Sequence, residues 1–141
     1  MFEATVVQGE LGDTQDVALF VNPVGSTQTA IDIFSKIDTE SDEVSCWEIF
    51  HNPVVTSNGT LQTITNLSTA LATTASLVKL YSNPIVSDLG QSLRQFKVYG
   101  RLDGLFIKTP VIELQPGHRL LLRRLTTGTE TITNTWQWNE S

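Results

Sequence analysis

Reaction chemistry needs nucleophiles, bases and ligands at usable spacing, and this sequence supplies few of them. It contains two histidines, His51 and His118, and one cysteine, Cys46. His51 stands directly before Asn52-Pro53 and His118 directly after Pro116-Gly117, so each belongs at a strand end or in a turn. No His-x-His, His-Glu-x-x-His or Cys-x-x-Cys spacing occurs, and metal ligation has no sequence support. Neither a Gly-x-Ser-x-Gly elbow nor a glycine-rich phosphate loop is present. Glu48, Asp88, Asp103 and Glu113 lie near strands or turns and are the carboxylates that could pair for sugar hydrolysis, although solvated surface acids are the simpler reading. The acidic run over residues 38–43 offers oxygen ligands of the kind calcium takes, but without EF-hand spacing or its glycine it reads as a charged turn. Cys46, within Val44-Ser45-Cys46-Trp47-Glu48-Ile49, reads as a small buried hydrophobe in a strand. The expectation is a non-enzyme with no catalytic, cofactor-binding or metal-binding residue.

Length and charge narrow the class further. A chain of 141 residues fits one domain. At that size a fold buries roughly two thirds of its unfolded surface and stands without a metal or disulfide. One cysteine excludes an intrachain disulfide, which fits a reducing cytoplasm. The formal net charge of -6 argues against nucleic acid as the partner, since phosphate binding needs clustered Lys and Arg. The one basic cluster, Arg119 with Arg123 and Arg124, is split, because adjacent strand residues point to opposite faces. The start Met1-Phe2-Glu3-Ala4-Thr5-Val6-Val7 lacks signal-peptide character, and no apolar run nears the roughly 20 residues that cross a bilayer, so no membrane role is expected.

The elements that must carry any surface are short strands. Residues 1–16 are polar and acidic around Gly9 and Gly12 and read as an extended arm. Apolar runs then alternate with turn signals: 17–21, 31–37, 44–51, 54–55, 61–64, 77–81, 93–99, 105–114, 119–125 and 131–139. Asn58-Gly59 between two such runs predicts a hairpin. Residues 68–75, rich in Ala and Thr, lack an amphipathic pattern and read as a loop or a single turn. In the last run Ile132, Asn134, Trp136 and Trp138 share one face, and the two indoles belong either to the core or to a subunit interface. Even strand spacing predicts an all-β, jelly-roll-like antiparallel β-sandwich over residues 17–141.

One segment echoes another. Trp47-Glu48-Ile49-Phe50-His51-Asn52-Pro53-Val54-Val55 matches Val78-Lys79-Leu80-Tyr81-Ser82-Asn83-Pro84-Ile85-Val86, and Gly59 and Gly90 fall at the same offset of 31 residues. Proline ends strand pairing and Asn bonds nearby backbone at a bend, so each unit reads strand, Asn-Pro corner, strand, glycine turn. Phe20-Val21-Asn22-Pro23-Val24-Gly25 is a weaker third copy.

These units, with Leu114-Gln115-Pro116-Gly117-His118-Arg119-Leu120-Leu121-Leu122-Arg123 and the ending Trp136-Gln137-Trp138-Asn139-Glu140, resemble small β-sandwich virion proteins of tailed bacteriophages, of the capsid decoration or cement type. The likeness covers residues from about 47 to the end and says little of residues 1–43. It implies a structural virion protein on the capsid exterior, present in the host cytoplasm during assembly. Such a protein would bind the major capsid protein, stabilise contacts between subunits and form a homotrimer. On that reading Phe2, Val6 and Val7 of the arm are the expected capsid contacts. Related folds in head fibres, tail fibres and baseplates leave a second expectation, binding of host-surface glycans, for which Trp47, Tyr81 and Tyr99 are the candidate aromatics.

Overall fold

The structure, a computed structural model, describes residues 1–8, 15–40, 42–68, 75–100, 107–111, 113–126 and 131–141. Fourteen strands occur among the described residues. The chain opens with β1 (Phe2–Gln8), β2 (Gln15–Val21), β3 (Ala30–Thr39) and β4 (Val44–His51). A run of short strands follows: β5 (Val54–Ser57), β6 (Thr60–Leu61), β7 (Ile64–Asn66), β8 (Lys79–Ser82) and β9 (Ile85–Asp88). The chain ends with β10 (Gln91–Tyr99), β11 (Ile107–Lys108), β12 (Glu113–Leu114), β13 (Arg119–Arg124) and β14 (Ile132–Glu140).

The strands pair antiparallel in two large sheets and one small ribbon. The first sheet runs β11-β3-β14-β1-β7, with β12 on the same side of β3 as β11. The second runs β10-β4-β13-β2-β8-β6, and β5 pairs with β9 in the ribbon. The long strands β1 to β4 alternate between the two large sheets; later in the chain β10 and β13 join the second sheet, and β11, β12 and β14 join the first. The expected all-β sandwich is therefore what forms. Its core lies between the sheets, where Phe20 of β2 stacks on Trp136 at 5.0 Å and meets Trp138 edge-on at 5.0 Å. Two indole N–H groups are satisfied by the residue two positions earlier on the same strand face. Trp47 donates to Ser45 Oγ at 2.8 Å, and Trp136 donates to Asn134 Oδ1 at 2.5 Å. Asn134 in turn donates to Ser35 Oγ, so this fully buried amide completes a network rather than leaving a polar orphan.

The N-terminal arm is corrected over its first half. Phe2–Gln8 is an inner strand held between β14 and β7, in register from Phe2↔Trp138 to Gln8↔Ile132. Phe2, Ala4 and Val6 alternate into the core, a period-two pattern that Glu3, Thr5 and the following glycines disguise in the sequence. Residues 9–14 of the expected arm, and 69–74 of the expected loop, lie outside the described residues.

The predicted Asn58-Gly59 hairpin is also corrected. β5 pairs with β9 rather than with β6, and β6 pairs with β8. A type I′ turn needs positive φ at both central residues, and of this pair only Gly59 has it. Gly59 instead presses on another corner: a Cβ there would lie 2.0 Å from Ser82 O and 2.9 Å from Asn83 O. Gly90 does the same to the first corner, 2.3 Å from His51 O and 2.7 Å from Asn52 O.

This reciprocity extends the echo into three dimensions. Asn52 and Asn83 both turn through the left-handed region, at φ 52° and 53°. Residues 31 apart exchange roles throughout: Val54↔Asp88 mirrors Ser57↔Ile85, Thr60↔Ser82 mirrors Gln91↔His51, and Leu61↔Tyr81 mirrors Ser92↔Phe50. At the centre Leu121 faces Leu19, flanked by Leu120↔Phe20 and Leu122↔Ala18. A local twofold therefore relates the halves of the second sheet and passes between Leu19 and Leu121. The ribbon covers the outer face there. Leu19, Phe50 and Leu121 are buried, with Val55, Tyr81 and Val86 packed on them, which makes a second apolar core and a third layer.

Gly59→Ala and Gly90→Ala should each lower stability by roughly 3–4 kcal/mol, combining left-handed strain with displaced backbone. Gly25→Ala, with a similar φ of +86° but nothing within 4 Å, should lose only about 1–2 kcal/mol. Urea midpoints at unchanged slope measure the difference; equal losses at all three positions would remove the close-approach argument.

Candidate functional site

Two polar groupings form on the second sheet. Along β4 the inward residues are Ser45, Trp47 and Ile49, so Cys46, Glu48 and Phe50 point outward. Pairing sets Glu48 opposite Arg123 of β13, and Arg123 opposite Asp16 of β2. An acid–base–acid row thus crosses three strands on the outer face. Glu48 Oε2 also accepts a short hydrogen bond from Ser92 Oγ. Arg123 Nε lies 3.8 Å from Asp16 Oδ1, within reach of charge attraction but too far for a hydrogen bond. Burial pushes the Asp16 carboxyl above its ordinary value of 3.8, and Arg123 partly opposes the rise. The next residue, Arg124, turns to the other face and sits over the Trp47 ring at 5.6 Å, so the adjacent arginines are split as strand geometry requires.

The second grouping is formed by the two histidines. His51 ends β4 and His118 follows the Pro116-Gly117 turn, 67 residues later, yet His51 Nε2 lies 3.0 Å from His118 Nδ1. Backbone fixes both positions. Asn52 donates its N–H to Arg119 O at 2.9 Å and accepts from Arg119 N–H at Oδ1, at 3.1 Å. His118 O accepts from Asn22 N–H at 3.0 Å, and Gly117 N–H donates to Asn22 O at 2.8 Å. Burial and then the His118 charge hold His51 below its ordinary value of 6.5, which favours the neutral ring near neutral pH.

The other expected residues fall elsewhere. Of the anticipated capsid contacts, Phe2 and Val6 are core residues, and only Val7, 66% exposed, faces outward. Trp136 and Trp138 are fully buried between the sheets, so this protomer's own core holds both. Trp47 is likewise core, Tyr81 belongs to the second core, and Tyr99 is exposed on β10. Cys46 is half-buried, less than its strand setting implied. The three described candidate carboxylates do not pair. Glu48 lies in the second sheet, Asp88 in the ribbon accepts from Gly90 N–H, Glu113 in the first sheet accepts from Gln115, and Asp103 is outside the described residues.

A cleft of about 440 Å³ opens at one end of the sandwich, where Met1, Phe2 and Leu77 face Asn66, Asn139 and Glu140. Glu140 Oε1 accepts from Ser76 Oγ and from the N–H groups of Leu77 and Val78, which fixes that wall. The acid–base row and the histidine contact are both products of strand register, and no local sequence pattern announces either. Comparison with known protein families, curated proteins and solved structures gives no match.

The Asp16 shift carries a definite sign. Its carboxyl takes up a proton more readily folded than unfolded. It favours folding below about pH 3.8 and loses that contribution as pH rises through the raised folded value. At neutral pH its ionised form opposes folding. Asp16→Asn should therefore raise the urea midpoint at pH 7, with the gain shrinking towards pH 3.5, while Glu48 remains opposite Arg123. A lower midpoint at pH 7 would show that the ion pair outweighs desolvation.

Proposed function

We propose that this chain is a structural virion protein of the capsid decoration type, which binds the outside of a phage head and braces neighbouring capsid subunits. The observation that carries the reading is the third layer. The β5–β9 ribbon is seated on a dedicated apolar core and held at both ends by interlocked corners, and it displays Val54, 57% exposed, and Ile85, 61% exposed, as counterparts across the local twofold. A firm platform with apolar tips suits adhesion to another protein, because few groups there must be ordered on binding. The sandwich order, β1-β14-β3-β11/β12 facing β2-β13-β4-β10, supports a jelly-roll reading, an architecture that viral capsid and lectin domains use. It agrees with the resemblance carried by the Asn-Pro units and the Trp-rich ending. With Phe2 and Val6 in the core, the contact surface moves from the expected arm to the ribbon. Trimerisation would multiply weak contacts by avidity.

Purified protein mixed with undecorated heads of the phage that encodes it should pellet with them. Val54→Asp combined with Ile85→Asp should stay in the supernatant while retaining the native circular dichroism spectrum. Native protein that fails to pellet overturns the reading. Light scattering on the free protein should give three times 15.6 kDa if the trimer forms before docking.

A second reading, a fibre or baseplate module that binds host glycans, draws on the cleft beside Phe2. Its amides and carboxylate offer the donors and acceptors that sugar hydroxyls use. A glycan array without a hit would end it.

A further inference from the structure

We propose that His51 and His118 form an open, two-imidazole site for a borderline transition-metal dication such as Zn²⁺, Ni²⁺ or Cu²⁺. The ligating atoms would be His51 Nε2 and His118 Nδ1, and the remaining positions would be filled by water. The site lies beyond the ribbon and the cleft and does not depend on the virion reading.

Metal–nitrogen bonds of about 2.0–2.1 Å in a tetrahedral site hold two imidazole nitrogens roughly 3.3 Å apart. The two nitrogens here are 3.0 Å apart, so a separation of a few tenths of an ångström, with each ring turned to aim its lone pair at the ion, admits it. The rings are tilted by 37° with centroids 5.1 Å apart, so they are neither stacked nor packed as hydrophobes.

Each histidine sits on backbone fixed by bonds that do not involve its ring. These are the Asn52–Arg119 exchange on one side and the Asn22 bonds to His118 and Gly117 on the other. Gly90 presses on the carbonyl of His51 itself. Register across the β4–β13 pair, Leu120↔His51, sets the two turns side by side. The ion would arrive at a pair already brought together and need not order two free side chains.

Both rings are only partly buried, so water could satisfy each one separately, and their approach is imposed by the backbone. In the neutral pair one contacting nitrogen carries the proton. On metal binding that proton moves to the far nitrogen of the same ring, leaving both contacting lone pairs free with no net change in charge of the pair. Neutral imidazole suits Zn, Cu and Ni and is a poor match for Ca or Mg. Among the described residues no group of three or more His, Cys, Asp or Glu side chains gathers as a metal set, which leaves the site open rather than closed. A bound ion would clip the Asn52 corner to the turn before β13, across 67 residues of sequence.

Because the chain has two histidines, ring nitrogen resonances report each ligand without ambiguity. Zinc chloride titrated into the uniformly ¹⁵N-labelled native protein near pH 7.5 should shift His51 Nε2 and His118 Nδ1 together and leave their partner nitrogens as N–H. Nickel chloride should raise the thermal midpoint, as any ligand selective for the folded state does. Magnesium chloride should do neither. Loss of an outer partner of a metal ligand already weakens binding by about 10–100-fold. His51→Ala and His118→Ala should therefore each weaken zinc binding by at least tenfold in calorimetry. Unshifted ring nitrogens at millimolar zinc would overturn the proposal. So would zinc binding that leaves the rings untouched, or native affinity retained in either alanine variant. The resonance test uses the native protein, so it decides the matter even if a variant misfolds.

Discussion

Two backbone-to-backbone approaches set the outer architecture: Gly59 against Ser82 and Asn83, and Gly90 against His51 and Asn52. Each glycine follows a ribbon strand and presses on the corner that begins the other unit. Neither approach is possible with a side chain present, and each fixes the exit of one unit by the entry of the other. Everything outside the sandwich depends on this exchange. It sets the antiparallel register of β5 with β9, and it brings β6 beside β8 and the start of β10 beside β4. The side chains keep the same symmetry. Thr56 Oγ1 donates to Ile85 O and Ser87 Oγ to Val54 O, while Gly59 and Gly90 donate to Ser57 Oγ and Asp88 Oδ1. A local twofold built from unlike sequences requires only that small, turn-forming and apolar positions recur, and they do.

Beneath that layer the sheets are locked by aromatics. Phe20 lies against both Trp136 and Trp138, and Phe2 stacks on Trp138 at 6.0 Å from the neighbouring strand. Each such side chain buries about 150–250 Å², which at about 25 cal/mol per Å² corresponds to roughly 4–6 kcal/mol of transfer free energy. Burying indoles also brings polar N–H groups into the core. Asn134 and Ser45 answer two of them. A leucine at position 134 would add apolar surface and strand the Trp136 donor, and an unpaired buried donor costs about 1–3 kcal/mol. A polar residue in the middle of the most apolar strand face is therefore a requirement of the tryptophan two positions later.

The sequence made the strand content, the face of β14 and the paired corners legible, because period-two alternation and Asn-Pro stops are local signals. It concealed β1. Phe2, Ala4 and Val6 do alternate, but only three inward apolar positions precede the glycines, and Val7 beside Val6 blurs the period. The Asn58-Gly59 pair was misleading for a different reason: a local hairpin preference lost to the tertiary contact at Ser82. The acid–base row and the histidine contact were invisible, since both depend on register between β4, β13 and β2. Register is a property of the assembled sheet, fixed here by Leu19, Leu121 and the bulge between Leu122 and Arg123.

The same distinction bears on function. Of the described carboxylates that might have paired, Asp88 accepts from a turn, Glu113 from a neighbouring amide and Glu48 from the Ser92 hydroxyl. A third layer over a complete sandwich is not needed to bury the main core, which Phe20 and the tryptophans already fill. It also leaves Val54 and Ile85 in solvent on a short ribbon. A chain that adds such a layer accepts exposed apolar surface for rigidity at its outer face. That exchange suits the docking role proposed above, and on that proposal the ribbon, and not the buried first strand, is the contact surface.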